Sequence, residues 1–474
     1  MEKYYKFLVG GEWRKSEKTK KIKNPYNGKT VGIVYRAGLR DAEDAIKCSQ
    51  EAFAKTKKMS SYNRAEILEN IARKIKERQD EFAEIITYEN GKPIKLSRTE
   101  VERAISTFSI ASEEAKRING EYLSLDITKT SQDRAGITRR FPIGPVLGIT
   151  PFNFPLNLVA HKVAPALACG NTIILRPSSQ CSITAIKLAE VIMDSEAIPG
   201  SINVLPSDTE IGEILVKDPR LKLLTFTGSA DVGFHLMKLA GKKKVILELG
   251  GNAGVIIHND ADIEFASDRC IVGGFGYAGQ VCISVQRIFV HHDIYKKFTD
   301  IFLEKVKNTK CGDPMNEETI VGPMIDENAL KKTEDWINEA VENKAKILIG
   351  GKRKETIFEP TVITNVTPDM KVYSQEIFAP VVTILEYTDF HNAVKEVNNS
   401  RYGLQAGIFT NDIKRIWYSF ENIEVGGVII NDVPTFRVDH MPYGGVKDSG
   451  RGREGIKYAI EDMTELKLLV LNLR

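Results

Sequence analysis

The chain of 474 residues is poor in cysteine and nearly balanced in charge. Its six cysteines are scattered, with no CxxC pair and no Cys/His ligand spacing, which argues against a disulfide framework and against a metal site. The 66 basic and 63 acidic residues give a formal net charge of +3, so the composition favours neither a nucleic-acid partner nor an anionic membrane. We interpret lysine pairs such as Lys20–Lys21 as solvated surface.

Long apolar segments are also missing. No run of about 18 apolar residues could cross a bilayer, and Met1–Lys6 contains no cleavable apolar region. A hydrophobic fraction of 42% and a charged fraction of 27% are typical of a globular protein in water, and the length predicts two or three domains. We therefore expect a cytoplasmic protein without membrane contact.

Hydrophobic periodicity divides the chain into regions of different structure. From Asp41 to Arg117 the apolar residues recur at helical spacing, which predicts a run of amphipathic helices. From Gly144 to Gly250 short β-rich runs alternate with helical stretches, which indicates a parallel sheet between helices. The alternation returns from Gly250 to Arg437 and predicts a second α/β domain. The β-rich pieces Glu121–Pro142 and Leu466–Leu471 have no partner strands nearby in the sequence, and such edges invite pairing with another chain.

Three separate segments contain residues suited to covalent catalysis on a carbonyl group. Cys282 lies among small residues, Glu248 lies between two leucines, and Asn153 lies in a loop fixed by prolines. They could supply a nucleophile, a general base and an oxyanion donor. Alone, the cysteine would be read as a buried spectator and the glutamate as an ion-pair partner. Their occurrence together favours catalysis.

In order and separation these segments closely resemble the NAD(P)-dependent aldehyde dehydrogenase superfamily, and the resemblance runs from Phe7–Trp13 to Pro442–Gly450. It implies an α/β fold with a Rossmann-like cofactor domain, a second α/β catalytic domain and a small β oligomerisation element, in a homo-oligomer that is a dimer or a tetramer. The implied boundaries are 1–120 and 143–249 for the cofactor domain, 250–437 for the catalytic domain, 121–142 and 457–474 for the oligomerisation element, and 438–456 for a return segment.

The resemblance also implies the chemistry. Cys282 attacks the aldehyde carbon to form a thiohemiacetal, whose oxyanion is held by the Asn153 amide and the Cys282 backbone N–H. After hydride transfer to the nicotinamide, Glu248 activates the water that hydrolyses the thioester. A cysteine-dependent esterase or thioester hydrolase, and a structural protein that kept only the fold, are the alternatives from other classes.

A cofactor site is predicted in the Phe226–Gly233 segment, which follows a strand and opens a helix whose amides suit a pyrophosphate. The literal GxGxxG at Gly274–Gly279 is rejected, because a helix precedes it and Cys282 follows it directly. By resemblance the cofactor contacts are Thr150, Pro151, Phe152, Arg176, Ser179, Gly228, Ser229, Gly233, Leu249, Glu376 and Phe378.

The adenosine end of this site favours NADP slightly over NAD. Arg176 stands where lysine is usual in the superfamily, and Ser179 stands where members that prefer NAD often have glutamate. A 2′-phosphate would be repelled by an acidic residue at position 179, whereas the Arg176 guanidinium can bind it. We therefore expect NADP to be used at least as well as NAD.

The motifs around Cys282 and in Asn431–Pro442 resemble the lactaldehyde and glyceraldehyde dehydrogenase branch, which predicts a small unphosphorylated aldehyde as the substrate. Nonphosphorylating glyceraldehyde-3-phosphate dehydrogenases place arginine where this chain has Val281; such an enzyme, or a succinate-semialdehyde dehydrogenase, is the alternative within the superfamily. Arg437 either binds the substrate or pairs with Asp432 or Asp439.

Overall fold

The computed structural model describes residues 3–473 of the chain. The strands are β1 (Tyr4–Tyr5), β2 (Phe7–Val9), β3 (Glu12–Arg14), β4 (Thr19–Lys23), β5 (Thr30–Tyr35), β6 (Tyr122–Ser124), β7 (Arg134–Pro142), β8 (Val146–Ile149), β9 (Ile173–Arg176), β10 (Ile202–Val204), β11 (Leu223–Thr227), β12 (Lys244–Glu248), β13 (Ala253–Ile257), β14 (Val285–His291), β15 (Lys346–Ile349), β16 (Arg353–Lys354), β17 (Ile357–Phe358), β18 (Thr361–Thr364), β19 (Val381–Tyr387), β20 (Tyr402–Gly403), β21 (Gln405–Phe409), β22 (Gly427–Ile430), β23 (Val446–Lys447), β24 (Gly450–Arg451) and β25 (Thr464–Asn472).

The helices are α1 (Leu39–Thr56), α2 (Ser61–Glu77), α3 (Gln79–Asn90), α4 (Ile94–Ala115), α5 (Asn157–Cys169), α6 (Ile183–Asp194), α7 (Thr209–Lys217), α8 (Ala230–Leu239), α9 (Ile263–Phe275), α10 (His292–Lys307), α11 (Glu327–Glu342), α12 (Lys371–Ser374), α13 (Phe390–Asn398), α14 (Ile413–Asn422) and α15 (Ile456–Asp462). A short 3₁₀ turn covers Gly276–Gly279. Within residues 3–473 no helix combines the length and the apolarity needed to span a membrane.

The first large sheet has the order β24-β12-β11-β8-β9-β10-β2-β3. Its five middle strands are parallel, as the alternating pattern predicted, and β8 is buried along its whole length because helices cover both faces. Antiparallel edge strands extend this sheet on both sides. One of them, β24, comes from near the end of the chain, so the predicted return segment lies beside β12.

The second large sheet has the order β15-β18-β19-β14-β13-β21-β22 and is parallel except for β15 at its edge. The α/β fold class predicted from the sequence is thus confirmed. The chain passes from the first sheet to the second through the four residues between β12 and β13, and this link carries the centre of the candidate site.

A third, antiparallel sheet has the order β25-β7-β6. The two β-rich pieces that lacked nearby partners pair with each other, from Thr464 opposite Pro142 to Asn472 opposite Arg134. Beyond Thr464 all of β25 is exposed, although it carries several leucines and a valine. An exposed apolar edge strand of this length is a surface suited to pairing with a second chain.

Candidate active site

Backbone contacts across the link between β12 and β13 bring the candidate residues together. A Cβ added to Gly251 would lie 2.2 Å from the carbonyl oxygen of Cys282, and one added to Gly250 would lie 2.4 Å from Oε2 of Glu376. The N–H of Gly251 also donates to Oε1 of Glu376 at 2.9 Å. Only glycine permits approaches this close. The chain therefore meets Cys282 and Glu376 within three residues of Glu248.

Cys282 follows α9 and the 3₁₀ turn, and its thiol faces a cavity. Its Sγ lies 3.1 Å from Oη of Tyr443. Burial raises the pKa of the Cys282 thiol to about 12, against the opposing effects of the Tyr443 hydroxyl and the Arg437 charge. Since the thiolate is the reactive form, the resting thiol needs a base, or a change in its surroundings, before it can attack.

Glu248 is the last residue of β12 and is 3% exposed. Neither oxygen of its carboxyl group has a hydrogen-bond partner among residues 3–473, so the ion-pair reading considered for this residue is not observed there. Burial raises the pKa of Glu248 well above its ordinary value, and the neighbouring Glu454 raises it further. A buried, unpaired carboxyl group of this kind is typical of a residue that exchanges protons.

Asn153 lies in the loop between β8 and α5, and it is tied to the segment that precedes the nucleophile. Its Nδ2 donates to the carbonyl oxygen of Gln280 at 3.0 Å, and its Oδ1 is buried without a partner in the described structure. An amide nitrogen carries two hydrogens. One of them is used by Gln280, and the other is available to a further acceptor.

A buried charge network lies behind these three residues. The Lys162 ammonium donates to Thr225 at 3.0 Å, to Thr227 at 2.8 Å and to Glu454 at 3.4 Å. The other oxygen of Glu454 accepts from Arg437 at 2.9 Å. Glu454 thus joins two cations, and its pKa is lowered to about 2 because their charges outweigh its burial.

The pairing expected for Arg437 was wrong. Its carboxylate partner is Glu454, because Asp432 pairs with Arg269 at 2.6 Å and Asp439 pairs with Arg103 at 2.8 Å. The guanidinium carbon of Arg437 also lies 3.7 Å from the centre of the Tyr443 ring.

A cavity of about 270 Å³ leads to the thiol. Its lining includes Cys282 itself and Val281, Tyr443 and Arg437. Arg103 from α4 and Arg269 from α9 also line it, and both are partly exposed. Nothing local in the sequence marks these two arginines, because an arginine on an amphipathic helix is normally read as solvated surface.

The predicted pyrophosphate segment forms a close turn between β11 and α8. A Cβ on Gly228 would lie 2.6 Å from the Phe226 ring, and one on Gly233 would lie 2.4 Å from the Leu249 side chain. Ser229 is the N-cap of α8, so the first amides of this helix point out of the turn. The rejected GxGxxG lies instead at the end of α9 and in the 3₁₀ turn, as expected.

The other predicted cofactor residues lie along the carboxyl edge of the first sheet and beside it. The rings of Phe152 and Phe378 meet edge to face at 6.0 Å, beyond Pro151 in the loop after β8. The backbone N–H of Thr150 donates to the carbonyl oxygen of Arg176 at 3.2 Å, while its hydroxyl is buried without a partner in the region described. The structure therefore brings both ends of the predicted cofactor site to one edge.

The adenosine end contains two residues that the sequence did not single out. Lys20 is half-buried and donates to Ser179 at 3.1 Å, so the interpretation of Lys20–Lys21 as solvated surface was wrong for Lys20. Arg36, just after β5, lies in the same group of side chains as Arg176 and Ser179.

The family model described as "Aldehyde dehydrogenase family" matches residues 13–469. The chain is similar to a 3-sulfolactaldehyde dehydrogenase from Priestia aryabhattai, with 46% identity over 472 residues that cover 99% of this chain and 98% of that protein. It is also similar to a lactaldehyde dehydrogenase from Methanococcus aeolicus, with 42% identity over 470 residues that cover 98% and 99% of the two chains.

Two solved structures share the whole fold. Aldehyde dehydrogenase 21 from Physcomitrella patens, in complex with the reaction product succinate, superposes with a TM-score of 0.98 at 45% identity and covers 100% of this chain and 99% of its own. A glyceraldehyde-3-phosphate dehydrogenase from Methanocaldococcus jannaschii complexed with NADP has a TM-score of 0.92 at 40% identity and covers 96% of this chain and 100% of its own.

We expect iodoacetamide to alkylate Cys282 of the cofactor-free protein at a rate that keeps rising from about pH 7 to about pH 9.5, because a buried thiol with a raised pKa stays protonated through this range. Tyr443→Phe removes a hydroxyl that stabilises the thiolate and should lower the rate at every pH. Peptide mass spectrometry separates labelling of Cys282 from that of the exposed Cys311. A rate that is half-maximal near pH 8.5 and levels off by about pH 9.5, as for a free thiol, would contradict this expectation.

Proposed function

The chain belongs to the aldehyde dehydrogenase family, and from that premise we propose that its substrate is a small hydroxyaldehyde of the lactaldehyde or glyceraldehyde type that carries an acidic group at the end away from the aldehyde. As a member of this family the enzyme oxidises an aldehyde to the carboxylic acid with NAD or NADP. The arginines in the wall of the Cys282 cavity are the observation that carries the proposal.

Cys282 is proposed as the nucleophile. The cavity ends at its thiol, and the Asn153 amide, held by Gln280, lies on the same side of the segment. Attack on the aldehyde carbon gives a thiohemiacetal, whose oxyanion would receive hydrogen bonds from Asn153 and from the Cys282 backbone N–H. One such donor is worth on the order of 10²–10³ in rate.

Glu248 is proposed as the base of the hydrolytic step. Its carboxyl group is buried without a hydrogen-bond partner in residues 3–473, and burial raises its pKa. It can therefore accept a proton from water without breaking an ion pair. When this water attacks the thioester, the C–S bond breaks, the product acid leaves, and the Cys282 thiolate takes up a proton to become the thiol again. The network of Lys162, Glu454 and Arg437 would hold the surrounding charge fixed while that proton moves.

The family implies a bound NAD or NADP, and the residues present fit it. The α8 amides at Ser229 suit a pyrophosphate, and the buried Thr150 hydroxyl lacks a partner in the described chain. Glu376 would hold the nicotinamide ribose and Phe378 would pack near the ring. A nicotinamide held by these residues would supply the hydride acceptor for the oxidation.

Three arginines favour an acidic end group on the substrate. Arg103 and Arg269 lie in the cavity wall with partly exposed side chains, and Arg437 lines the same cavity as Cys282. Arginine binds carboxylate and sulfonate-like oxygens through paired N–H groups. One relative is named for 3-sulfolactaldehyde, which carries a sulfonate, and one solved neighbour is in complex with succinate, which carries carboxylates. With Val281 beside Cys282, we favour a carboxylate or a sulfonate over a phosphate.

We also propose that the enzyme is a homo-oligomer, a dimer or a tetramer, formed through the third sheet. The exposed apolar strand β25 supports this assembly. A cytoplasmic location, expected from the sequence, is proposed as well.

We expect Glu248→Gln to produce a burst of about one reduced cofactor per subunit and then to turn over at least ~100-fold more slowly, because acylation precedes the step that needs the base. Stopped-flow absorbance at the reduced nicotinamide band measures both phases. Glu386→Gln, a change at an exposed glutamate of β19, is the matched control and should behave as wild type. Steady turnover at the normal rate in Glu248→Gln would remove Glu248 from this role.

A substrate panel tests the acidic end group. We expect kcat/KM for 3-sulfolactaldehyde or succinic semialdehyde to exceed that for lactaldehyde by about tenfold or more. Lactaldehyde has no acidic group, so it loses at least one interaction with an arginine of the cavity. Arg103→Gln should abolish this advantage through KM and leave lactaldehyde within a few-fold.

Arg98→Gln is the control for that variant, since Arg98 lies on the same helix but pairs with Glu317 on the surface. Equal loss for charged and uncharged aldehydes in Arg103→Gln would contradict the assignment. A clear preference for glyceraldehyde 3-phosphate would instead favour the alternative of a nonphosphorylating glyceraldehyde-3-phosphate dehydrogenase.

A further inference from the structure

A second group of positive charges lies away from Cys282, at the carboxyl ends of β9 and β10. Lys20 from β4, Arg36 after β5 and Arg176 at the end of β9 surround a recess of about 330 Å³ that Ser179, Asp208 and Thr209 also line. Two of the three cations come from the N-terminal strands, which precede the first long helix and lie more than 130 residues before Arg176 in the chain.

The N-terminal strands are fixed over this recess by close packing. A Cβ on Gly32 of β5 would lie 2.5 Å from the Tyr5 ring and 3.2 Å from Ile183 of α6. The backbone N–H of Ala37 donates to the carbonyl oxygen of Pro206 in the loop after β10, at 2.8 Å. Arg36 therefore has a defined place beside the carboxyl ends of β9 and β10.

The positive charge in the recess is only partly neutralised. Arg36 pairs with Asp208 at 2.7 Å, Lys18 reaches the other oxygen of Asp208 at 3.9 Å, and Lys20 makes no ion pair with a residue in 3–473. Asp208 is about half exposed, so its pairing contributes little. Glu210 is the other acid whose charge acts on Arg176.

Several donors in the recess have no acceptor. The Nε atoms of Arg36 and Arg176 are buried without hydrogen-bond partners in the described chain, and the Arg36 residue is 8% exposed. The Arg176 side chain is held against α7, where a Cβ on Gly212 would lie 2.9 Å from its Nε. Buried donors that also carry charge call for an anion with several oxygens.

We propose that Lys20 and Arg36 bind, together with Arg176, a phosphate monoester on the adenosine ribose of the cofactor, and that these two N-terminal residues decide the preference for NADP over NAD. The recess lies at the carboxyl edge of the sheet that also carries the Gly228 turn, which is where a dinucleotide lies in α/β sheets. The proposal rests on the cofactor site of the proposed function and is independent of the aldehyde.

Isothermal titration of the cofactor-free enzyme with adenosine 2′,5′-bisphosphate and with 5′-AMP tests the proposal without any aldehyde. We expect the bisphosphate to bind at least about tenfold more tightly than AMP at low salt, with a difference that shrinks as salt is added. Lys20→Met and Arg36→Gln should each remove most of that difference and leave the affinity for AMP within about threefold. Lys23→Met, on the same strand but outside the recess, should keep it.

Steady-state kinetics gives a second readout. In Lys20→Met and Arg36→Gln the ratio of kcat/KM for NADP to that for NAD should fall about tenfold, whereas Lys23→Met should keep the wild-type ratio. Lys20→Met keeps the test valid if loss of the Arg36–Asp208 pair destabilises the fold. Equal binding of the two nucleotides by wild type, or an undiminished difference in both variants, would overturn the proposal. Neither result would bear on the aldehyde assigned to the Cys282 cavity.

Discussion

The close approach of the Gly250–Gly251 link to Cys282 and Glu376 is the constraint on which the rest of the site depends. The link joins the two parallel sheets, and it follows Glu248 directly. A Cβ at either glycine would overlap atoms of the opposite segment, at 2.4 Å and 2.2 Å. Because glycine permits these close approaches, the proposed nucleophile Cys282 and the proposed ribose ligand Glu376 both contact the short link that follows the proposed base Glu248.

Among the buried charged groups around this link, the carboxyl group of Glu248 has no hydrogen-bond partner in residues 3–473. Lys162, Arg437 and Glu454 form a buried network in which one carboxylate serves two cations, whereas Glu248 has no partner in residues 3–473. An ionised carboxylate without partners is costly in such a place, and this desolvation raises the pKa of Glu248. The same desolvation raises the pKa of the Cys282 thiol.

The sequence predicted those features whose cause is local. Alternation of apolar runs predicted the parallel strands, and short motifs predicted Cys282, Glu248 and Asn153 as candidate site residues, because each motif is a signal confined to a few neighbouring residues. The partner of Arg437, the cavity arginines Arg103 and Arg269, and the recess residues Lys20 and Arg36 could not be found in this way. Each depends on packing between elements far apart in the chain, and a charged residue on a helix or an edge strand has the same local pattern whether it faces water or a ligand.

The replacement Gly251→Ala tests the central constraint most directly, with kcat/KM for the preferred aldehyde as the measurement and circular dichroism as the check on folding. Gly251 has no positive φ, so the added methyl group acts only through its overlap with the Cys282 carbonyl oxygen. We predict a folded protein whose kcat/KM falls by about 100-fold or more, since a displacement of roughly 1 Å at reacting groups has an effect of that size. Gly312→Ala is the control, because Gly312 also has no positive φ and the nearest atom to its added Cβ would be Oγ1 of Thr319 at 4.0 Å. Activity of Gly251→Ala within a few-fold of wild type would contradict the account.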